Sequence, residues 1–133
     1  MKISDLAERS GISAHTLRYY EKSGLLKASS RGANNYRVYS EDDLNTAKFI
    51  QHCKNCGFTL AEITALLAIK HDKSQHVCAE AKSITANKLD EIAQHIERLK
   101  LMQNTLKKLA QYCCGGQESA EYCSIITALE EGK

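Results

Sequence analysis

Three cysteines near the C-terminus are the side chains of this sequence best suited to chemistry. Cys113 and Cys114 are adjacent, and Cys123 follows after a short segment that contains two glycines. A small, flexible loop can fold around an ion, and thiolates bind soft and borderline metals strongly. Because adjacent cysteines project in different directions, they favour two ions, or a ligand shared between chains, over one simple chelate. The pattern predicts a metal site, with an in-loop disulfide and a redox-sensing set of thiols as alternatives.

Cys78 is a fourth candidate thiolate, far from the others along the chain, and His76 lies beside it. Cys78 begins an amphipathic segment that predicts one long helix. In an antiparallel pair of such helices, the start of one lies beside the end of the other, so Cys78 of the partner subunit would face the cysteine loop. We expect a site assembled between subunits. His76 is a further candidate ligand, and a solvated loop histidine is the alternative.

Cys53 and Cys56 have the spacing of a zinc knuckle and follow His52. Structural zinc requires four ligands, and no second Cys or His pair lies in this part of the chain. Cysteine is also among the residues most often buried. We therefore interpret this pair as ordinary packing residues at the end of a helix.

A basic N-terminal segment is the second candidate site. Residues 1–40 carry seven basic and three acidic side chains, a net charge of +4, whereas the whole chain carries +2. Two short helices joined at Gly11-Ile12-Ser13 have the spacing of a helix-turn-helix, whose second helix meets base edges in the major groove. The residues that we predict to contact DNA lie at the cap of that helix, on the helix and on a following hairpin: Ser13, His15, Thr16, Arg18, Tyr19, Arg31, Tyr36 and Arg37.

Arginine suits this role because its guanidinium can bind guanine or phosphate with two N–H groups at once. Arg18 would act in this way on the helix, and Arg31 and Arg37 would contact phosphates from the hairpin. The alternative is a small helical domain with an ordinary solvated basic face.

Capping signals and apolar periodicity predict the elements that position both sites. We predict helices over 3–10 and 14–22, capped by Ser4 and Ser13, and a β-hairpin within 25–39. Capping boxes at Ser40 and Thr59 open two further helices. A long helix over 78–111 and a short one over 122–131 complete a mainly α fold.

The long helix carries an apolar stripe on one side, with residues recurring mostly at steps of three and four: Ile84, Leu89, Ile92, Ile96, Leu99, Met102, Leu106 and Leu109. A helix about 50 Å long is too long for 133 residues to bury. A second copy of the same helix would cover the stripe as a coiled coil. We therefore predict a homodimer.

Composition excludes several classes of protein. No segment approaches the ~18 consecutive apolar residues of a membrane span. The start, MKISDLAERS, has acidic residues where a secretory signal has its apolar core, which predicts a cytoplasmic protein. We find no Ser/His/Asp arrangement, phosphate-binding glycine loop or carboxylate pair, so nothing in the sequence indicates an enzyme.

Taken together, these features resemble the MerR family of bacterial transcription regulators. The resemblance covers nearly the whole chain and rests on four segments: residues 3–7, ISDLA; 16–26, TLRYYEKSGLL; 35–39, NYRVY; and 57–63, GFTLAEI. It implies a winged helix-turn-helix DNA-binding domain over 1–70, a hinge over 71–77 and a dimerisation helix over 78–111. A metal-binding loop and short helix would follow over 112–133.

Within the family, the chain resembles the zinc-responsive, ZntR-like branch. Cys78, the vicinal pair Cys113-Cys114, and Cys123 carry this resemblance, which implies that these four thiolates bind Zn(II). Cd(II) and Pb(II) are the alternative effectors. The protein for which the branch is named has a loop histidine that ligates the second of two zinc ions, where this chain has Glu118. Glu118 is therefore a further candidate ligand; the alternatives are loss of the second ion or its binding by His76.

The resemblance also implies a mechanism. The metal-bound dimer would distort promoter DNA so that RNA polymerase can engage it, which activates genes of metal efflux and resistance. A regulator that senses thiol oxidation, or a zinc-stapled coiled coil that does not bind DNA, would be the alternative.

Overall fold

A computed structural model describes residues 1–132 and confirms the mainly α fold. Six α-helices, two short strands and two 3-10 turns follow each other along the described chain: α1 Ile3–Ser10, α2 Ala14–Lys22, β1 Ser30–Arg31, β2 Arg37–Val38, α3 Glu41–Asn55, α4 Leu60–His71, a 3-10 turn Lys73–Gln75, α5 Cys78–Ala110, a 3-10 turn Ala120–Tyr122 and α6 Ser124–Glu131. The chain forms two compact units, one over Met1–Lys88 and the other from Leu89 onward. No helix in the described residues is long and apolar enough to cross a membrane.

The first two helices form the predicted helix-turn-helix. Helix α1 ends where Gly11 adopts a left-handed conformation with φ +74°, which glycine reaches without steric strain. Ser13 then caps α2 by accepting a hydrogen bond of 3.1 Å from the backbone N–H of Thr16. The predicted cap at Ser4 is wrong, because the N-cap of α1 is Lys2, whose backbone N–H donates to the Asp5 carboxylate.

One apolar core holds the first unit together. The largest fully buried side chains come from the first four helices and from the segment after β2: Leu6, Leu17, Tyr39, Ile50 and Ile63. Because Leu17 and Tyr20 face this core, the opposite side of α2 remains exposed. The packing therefore leaves one face of the second helix exposed to solvent.

The predicted hairpin is a short wing. Strands β1 and β2 are antiparallel, with Ser30 opposite Val38 and Arg31 opposite Arg37. Asn35 closes the turn with φ +61°, a left-handed conformation that asparagine tolerates. Only two residues pair on each side, so the wing is held by its contacts with the helices as well as by its ladder.

Both predicted capping boxes are present. Ser40 and Asp43 cap α3 reciprocally, and Thr59 and Glu62 do the same for α4. Glu62 also lies 2.9 Å from the ammonium group of Lys88 in α5. This ion pair joins α5 to α4 within the first unit.

Helix α5 has 33 residues and ends one residue before the predicted boundary. Much of its apolar stripe is exposed, including Leu89, Ile92, Ile96, Leu99, Met102 and Leu106. In the second unit, the buried apolar side chains among the described residues are Leu109 and Ala128. Helix α6 begins at Ser124, two residues later than predicted, because residues 120–122 form a 3-10 turn and Cys123 is the N-cap.

Candidate functional site

The exposed face of α2 carries the predicted DNA-reading residues. His15, Arg18 and Tyr19 are exposed, whereas Leu17 and Tyr20 of the same helix are buried. Polar and aromatic groups on one side of a short helix, backed by a packed core, have the arrangement of a recognition helix.

Ser13 and Thr16 form hydrogen bonds with each other at the first turn of α2. The Ser13 hydroxyl accepts from the backbone of Thr16 and donates to its hydroxyl at 2.9 Å. The Tyr36 ring lies on the wing, 55% exposed, with the Lys2 ammonium 5.4 Å from its centre.

Helix α2 and the wing enclose a basic cavity of about 660 Å³. Its charged lining comprises five basic side chains and one acidic side chain: Arg18, Lys22, Lys27, Arg31, Arg37 and Glu21. Arg18, Arg31 and Arg37 also line a second cavity, of about 380 Å³, beside Tyr36. The fold thus gathers the three predicted arginines at one surface.

Two lysines of this surface, Lys22 and Lys27, were not among the predicted contacts. Their charge was visible in the sequence as part of the basic N-terminal segment. Their convergence depends on how the chain turns between α2 and β1, which local patterns do not specify.

Glu21 links α2 to the wing. Its carboxylate lies 2.8 Å from Nε of Arg37 and also accepts a hydrogen bond from the hydroxyl of Tyr39. The pKa of Tyr39 is raised well above its usual range, mainly by burial and secondly by this hydrogen bond to Glu21. No role for Glu21 was predicted from the sequence.

In the second unit, the loop brings two of the predicted thiols together. Cys113 and Cys123 are half-buried, and the pKa of the Cys123 thiol is lowered by the backbone N–H groups of Ile126 and Ile125 and, to a smaller extent, by the Cys113 side chain. The N–H of Gly115 lies 3.5 Å from Sγ of Cys113. These contacts favour the thiolate form, which is the form that ligates metals.

Cys114 and Glu118 line the same cavity, of about 480 Å³, as Cys113 and Cys123. Gly116 makes room for Glu118, because a side chain at Gly116 would collide with the Glu118 carboxylate. The donor set of thiolates and a carboxylate oxygen fits Zn(II) chemistry. In residues 1–132, however, no three Cys, His, Asp or Glu side chains are gathered closely enough to hold a metal ion.

Cys78 and His76 lie in the first unit, around the start of α5. Cys78 is exposed, and Nδ1 of His76 lies 3.0 Å from the carboxylate of Glu80. The same carboxylate accepts the backbone N–H of Val77 at 2.7 Å, and the two contacts lower the pKa of Glu80. His76 thus already has a carboxylate partner.

The two remaining cysteines, Cys53 and Cys56, differ in their burial. Cys53 is buried in the core, and burial raises the pKa of its thiol, which agrees with a packing role. Cys56 is exposed at the C-cap of α3, so the expectation that it is a packing residue is wrong. The helix ends one residue before it, which carries its side chain away from the buried face.

Comparison with known proteins assigns the family. Residues 1–69 match the family described as "MerR HTH family regulatory protein", and residues 44–109 match "MerR, DNA binding". The chain is 40% identical over 131 residues to the HTH-type transcriptional regulator ZntR of Escherichia coli K12, with 98% of this chain and 93% of that protein covered.

Two solved structures share the fold and contain metals. The regulator PbrR691 of Ralstonia metallidurans CH34, in complex with lead(II), has a TM-score of 0.86 and 27% identity, with 97% of this chain and 98% of that chain covered. MerR of Bacillus megaterium MB1, in complex with mercury(II), has a TM-score of 0.71 and 27% identity, with 98% and 99% covered. The chain therefore belongs to the MerR family of DNA-binding transcription regulators and is not an enzyme.

Proposed function

We propose that this chain is a metal-responsive transcription activator that binds promoter DNA as a homodimer and takes Zn(II) as its effector. The observation that carries the proposal is the pairing of a basic recognition surface in one unit with a thiol-lined loop in the other. One chain thus has a surface for a polyanion and a separate set of soft ligands. Its place of action would be the cytoplasm, where promoter DNA is accessible.

The DNA contacts follow from the exposed face of α2 and the wing. Arg18, with His15 and Tyr19, would meet base edges and phosphates in the major groove, and Arg31 and Arg37 would contact phosphates from the wing. Ser13 and Thr16 would act by holding the first turn of the recognition helix. Tyr36 would anchor the wing by a hydrogen bond to the DNA backbone.

Dimerisation is supported by the exposed apolar stripe of α5. Pairing of two such helices removes leucine, isoleucine and methionine side chains from water. A two-fold symmetric dimer presents two recognition helices, so the operator should be an inverted repeat. RNA polymerase would be the partner that reads the distortion of the DNA between the half-sites.

Cys113, Cys114 and Cys123 would hold the metal in the loop, with Cys78 of the partner subunit as the fourth thiolate. Glu118 lines the same cavity and is a candidate oxygen ligand, and His76 is a further candidate. The metal would neutralise the thiolates and order the loop. Lead(II) and mercury(II) in the two related structures support a soft-metal effector, and Cd(II) or Pb(II) in place of Zn(II) is the first alternative.

A thiol redox sensor is the second candidate, because Cys113 and Cys123 line one cavity and the pKa of the Cys123 thiol is lowered. Transcription in vitro from the protein's own target promoter, with a panel of metals and with a thiol oxidant under anaerobic conditions, would separate the candidates. The proposal predicts activation by Zn(II) and by no oxidant. Activation by oxidant alone, with no metal bound per dimer, would exclude a metal effector.

A matched pair of variants locates the site. Cys113→Ser should abolish activation by metal but retain promoter binding, because the loop and the recognition surface belong to separate units. Cys56→Ser, at the exposed C-cap of α3, is the control thiol and should retain the metal response. Loss of DNA binding in the Cys113 variant would contradict this division of roles.

A further inference from the structure

One carboxylate lies among the cations of the basic cavity. Glu21 is the only acidic side chain that lines this cavity in the described residues, against five basic ones. DNA phosphate is repelled by a carboxylate, so a surface that binds DNA has an electrostatic reason to exclude one. The position of Glu21 therefore requires an explanation.

Both oxygens of this carboxylate are engaged. Oε1 accepts from the hydroxyl of Tyr39, and Oε2 lies 2.8 Å from Nε of Arg37. The Glu21 side chain is 11% exposed and that of Arg37 is 42% exposed. Tyr39 is buried in the core, so the chain of contacts runs from a fixed tyrosine through a shielded carboxylate to an exposed guanidinium.

The shape of the guanidinium group determines which of its nitrogens remain available to DNA. A guanidinium has one Nε–H and two terminal NH₂ groups, and only the Nε side is occupied by Glu21. The terminal groups form the part of the fork that binds phosphate. A side chain held at Nε loses less conformational freedom when it binds, so its interaction with DNA is stronger.

We propose that Glu21 is a positioning residue for DNA binding, which holds Arg37 by its Nε so that the terminal nitrogens meet a backbone phosphate. The inference rests on the proposed DNA surface, and in particular on Arg37 as a phosphate-binding residue. It assigns to a carboxylate a favourable role in binding a polyanion.

The direction in which one substitution changes DNA affinity tests this proposal. Glu21→Gln removes a negative charge from the cavity, so simple electrostatics predict tighter DNA binding. Positioning predicts weaker binding, by about fivefold, which is the upper end for one partly exposed ion pair. The probe is a duplex selected by the full-length dimer from a random-sequence pool, with affinity measured over a range of salt concentrations.

A double-mutant cycle with Arg37→Ala excludes a purely structural role. If Glu21 acts through Arg37, Glu21→Gln weakens binding only while Arg37 is present, so the double variant is no weaker than Arg37→Ala. Arg37→Ala itself lowers the salt slope by about 0.9, for the one phosphate that is no longer neutralised. Glu41→Gln is the matched control, because Glu41 forms an exposed carboxylate–guanidinium pair with Arg9 and does not line the cavity. This control should not weaken binding.

The outcomes separate the proposed DNA surface from the positioning role. Unchanged affinity and slope in Arg37→Ala would overturn the proposed binding of phosphate by Arg37. Weak binding by Arg37→Ala but normal or tighter binding by Glu21→Gln would overturn only the positioning role, as would additive losses. If Glu21→Gln does not fold, Arg37→Lys decides, because wild-type affinity with a point charge at 37 would show that no held guanidinium is needed.

Discussion

Removal of the Ser13 hydroxyl should loosen the recognition helix at its first turn. In the structure, this hydroxyl accepts the backbone N–H of Thr16 at 3.1 Å and donates to the Thr16 hydroxyl at 2.9 Å. Loss of an N-cap of this type lowers stability by about 1 kcal/mol. The second hydrogen bond is exposed and adds little, so we expect Ser13→Ala to lower the free energy of unfolding by about 1 kcal/mol.

The same loss sets an upper limit on the effect on DNA affinity. Because 1.4 kcal/mol corresponds to a factor of ten, about 1 kcal/mol corresponds to about fivefold weaker binding if the first turn must be ordered on DNA. Urea unfolding followed by circular dichroism measures the stability. All variants are compared at one protein concentration, since the stability of a dimer depends on it.

Ser4→Ala is the matched control. Ser4 occupies a similar place at the start of α1, but the cap of that helix is Lys2, so its replacement should change stability by less than about 0.5 kcal/mol. Equal destabilisation by both alanine variants, or none by Ser13→Ala, would refute the capping argument.

An aspartate at position 13 separates folding from DNA binding. Ser13→Asp retains an N-cap oxygen and places a negative charge at the helix N-terminus, so stability should be at least that of the wild type. The same charge would face DNA phosphate, and affinity should fall. Unchanged affinity would remove Ser13 from the proposed interface.

Three further predictions concern the two sites. Cys123→Ser should abolish metal-induced transcription with promoter affinity unchanged, whereas the exposed thiol Cys56, replaced by serine, should leave both unchanged in gel-shift and transcription assays. Affinity for Zn(II) should fall as pH falls, by about tenfold per pH unit for each protonated thiol that must release its proton on binding. Competition with a chelator at two pH values measures this dependence. An affinity independent of pH would argue against thiolate ligands. Arg18→Ala should weaken binding to the selected duplex and lower its salt slope but spare Zn(II) affinity in calorimetry, and an equal loss of both would contradict separate sites.

Local signals predicted most of the helices because each signal involves neighbours in the chain. The capping boxes at Ser40 and Thr59 are satisfied by residues three positions later, so their hydrogen bonds follow from sequence spacing alone. The bounds of α1 agree with the prediction, but its cap was assigned to the wrong residue, because Ser4 has the right chemistry and lies inside the helix. A capping residue works only where the backbone is still extended, and Lys2 occupies that position.

Contacts between distant segments could not be predicted from local sequence signals. The ion pair of Glu62 with Lys88 joins α4 to α5, and nothing in either segment specifies it. Cys53 and Cys56 differ in burial although their local sequence treats them alike, because the first lies on the buried face of α3 and the second lies beyond its end.

The family, the order of the helices and the two kinds of chemistry could be predicted from residue types, their spacing and local hydrogen bonds. The convergence of charges on one surface could not, because it follows from the packing of the chain. Arg18 of α2 and Arg37 of the wing line one cavity, and Glu21 lies among them as the partner of Arg37. The physical reason is that the energy of such an arrangement depends on distances through space and on burial, which are set when the core around Leu17 and Tyr39 packs.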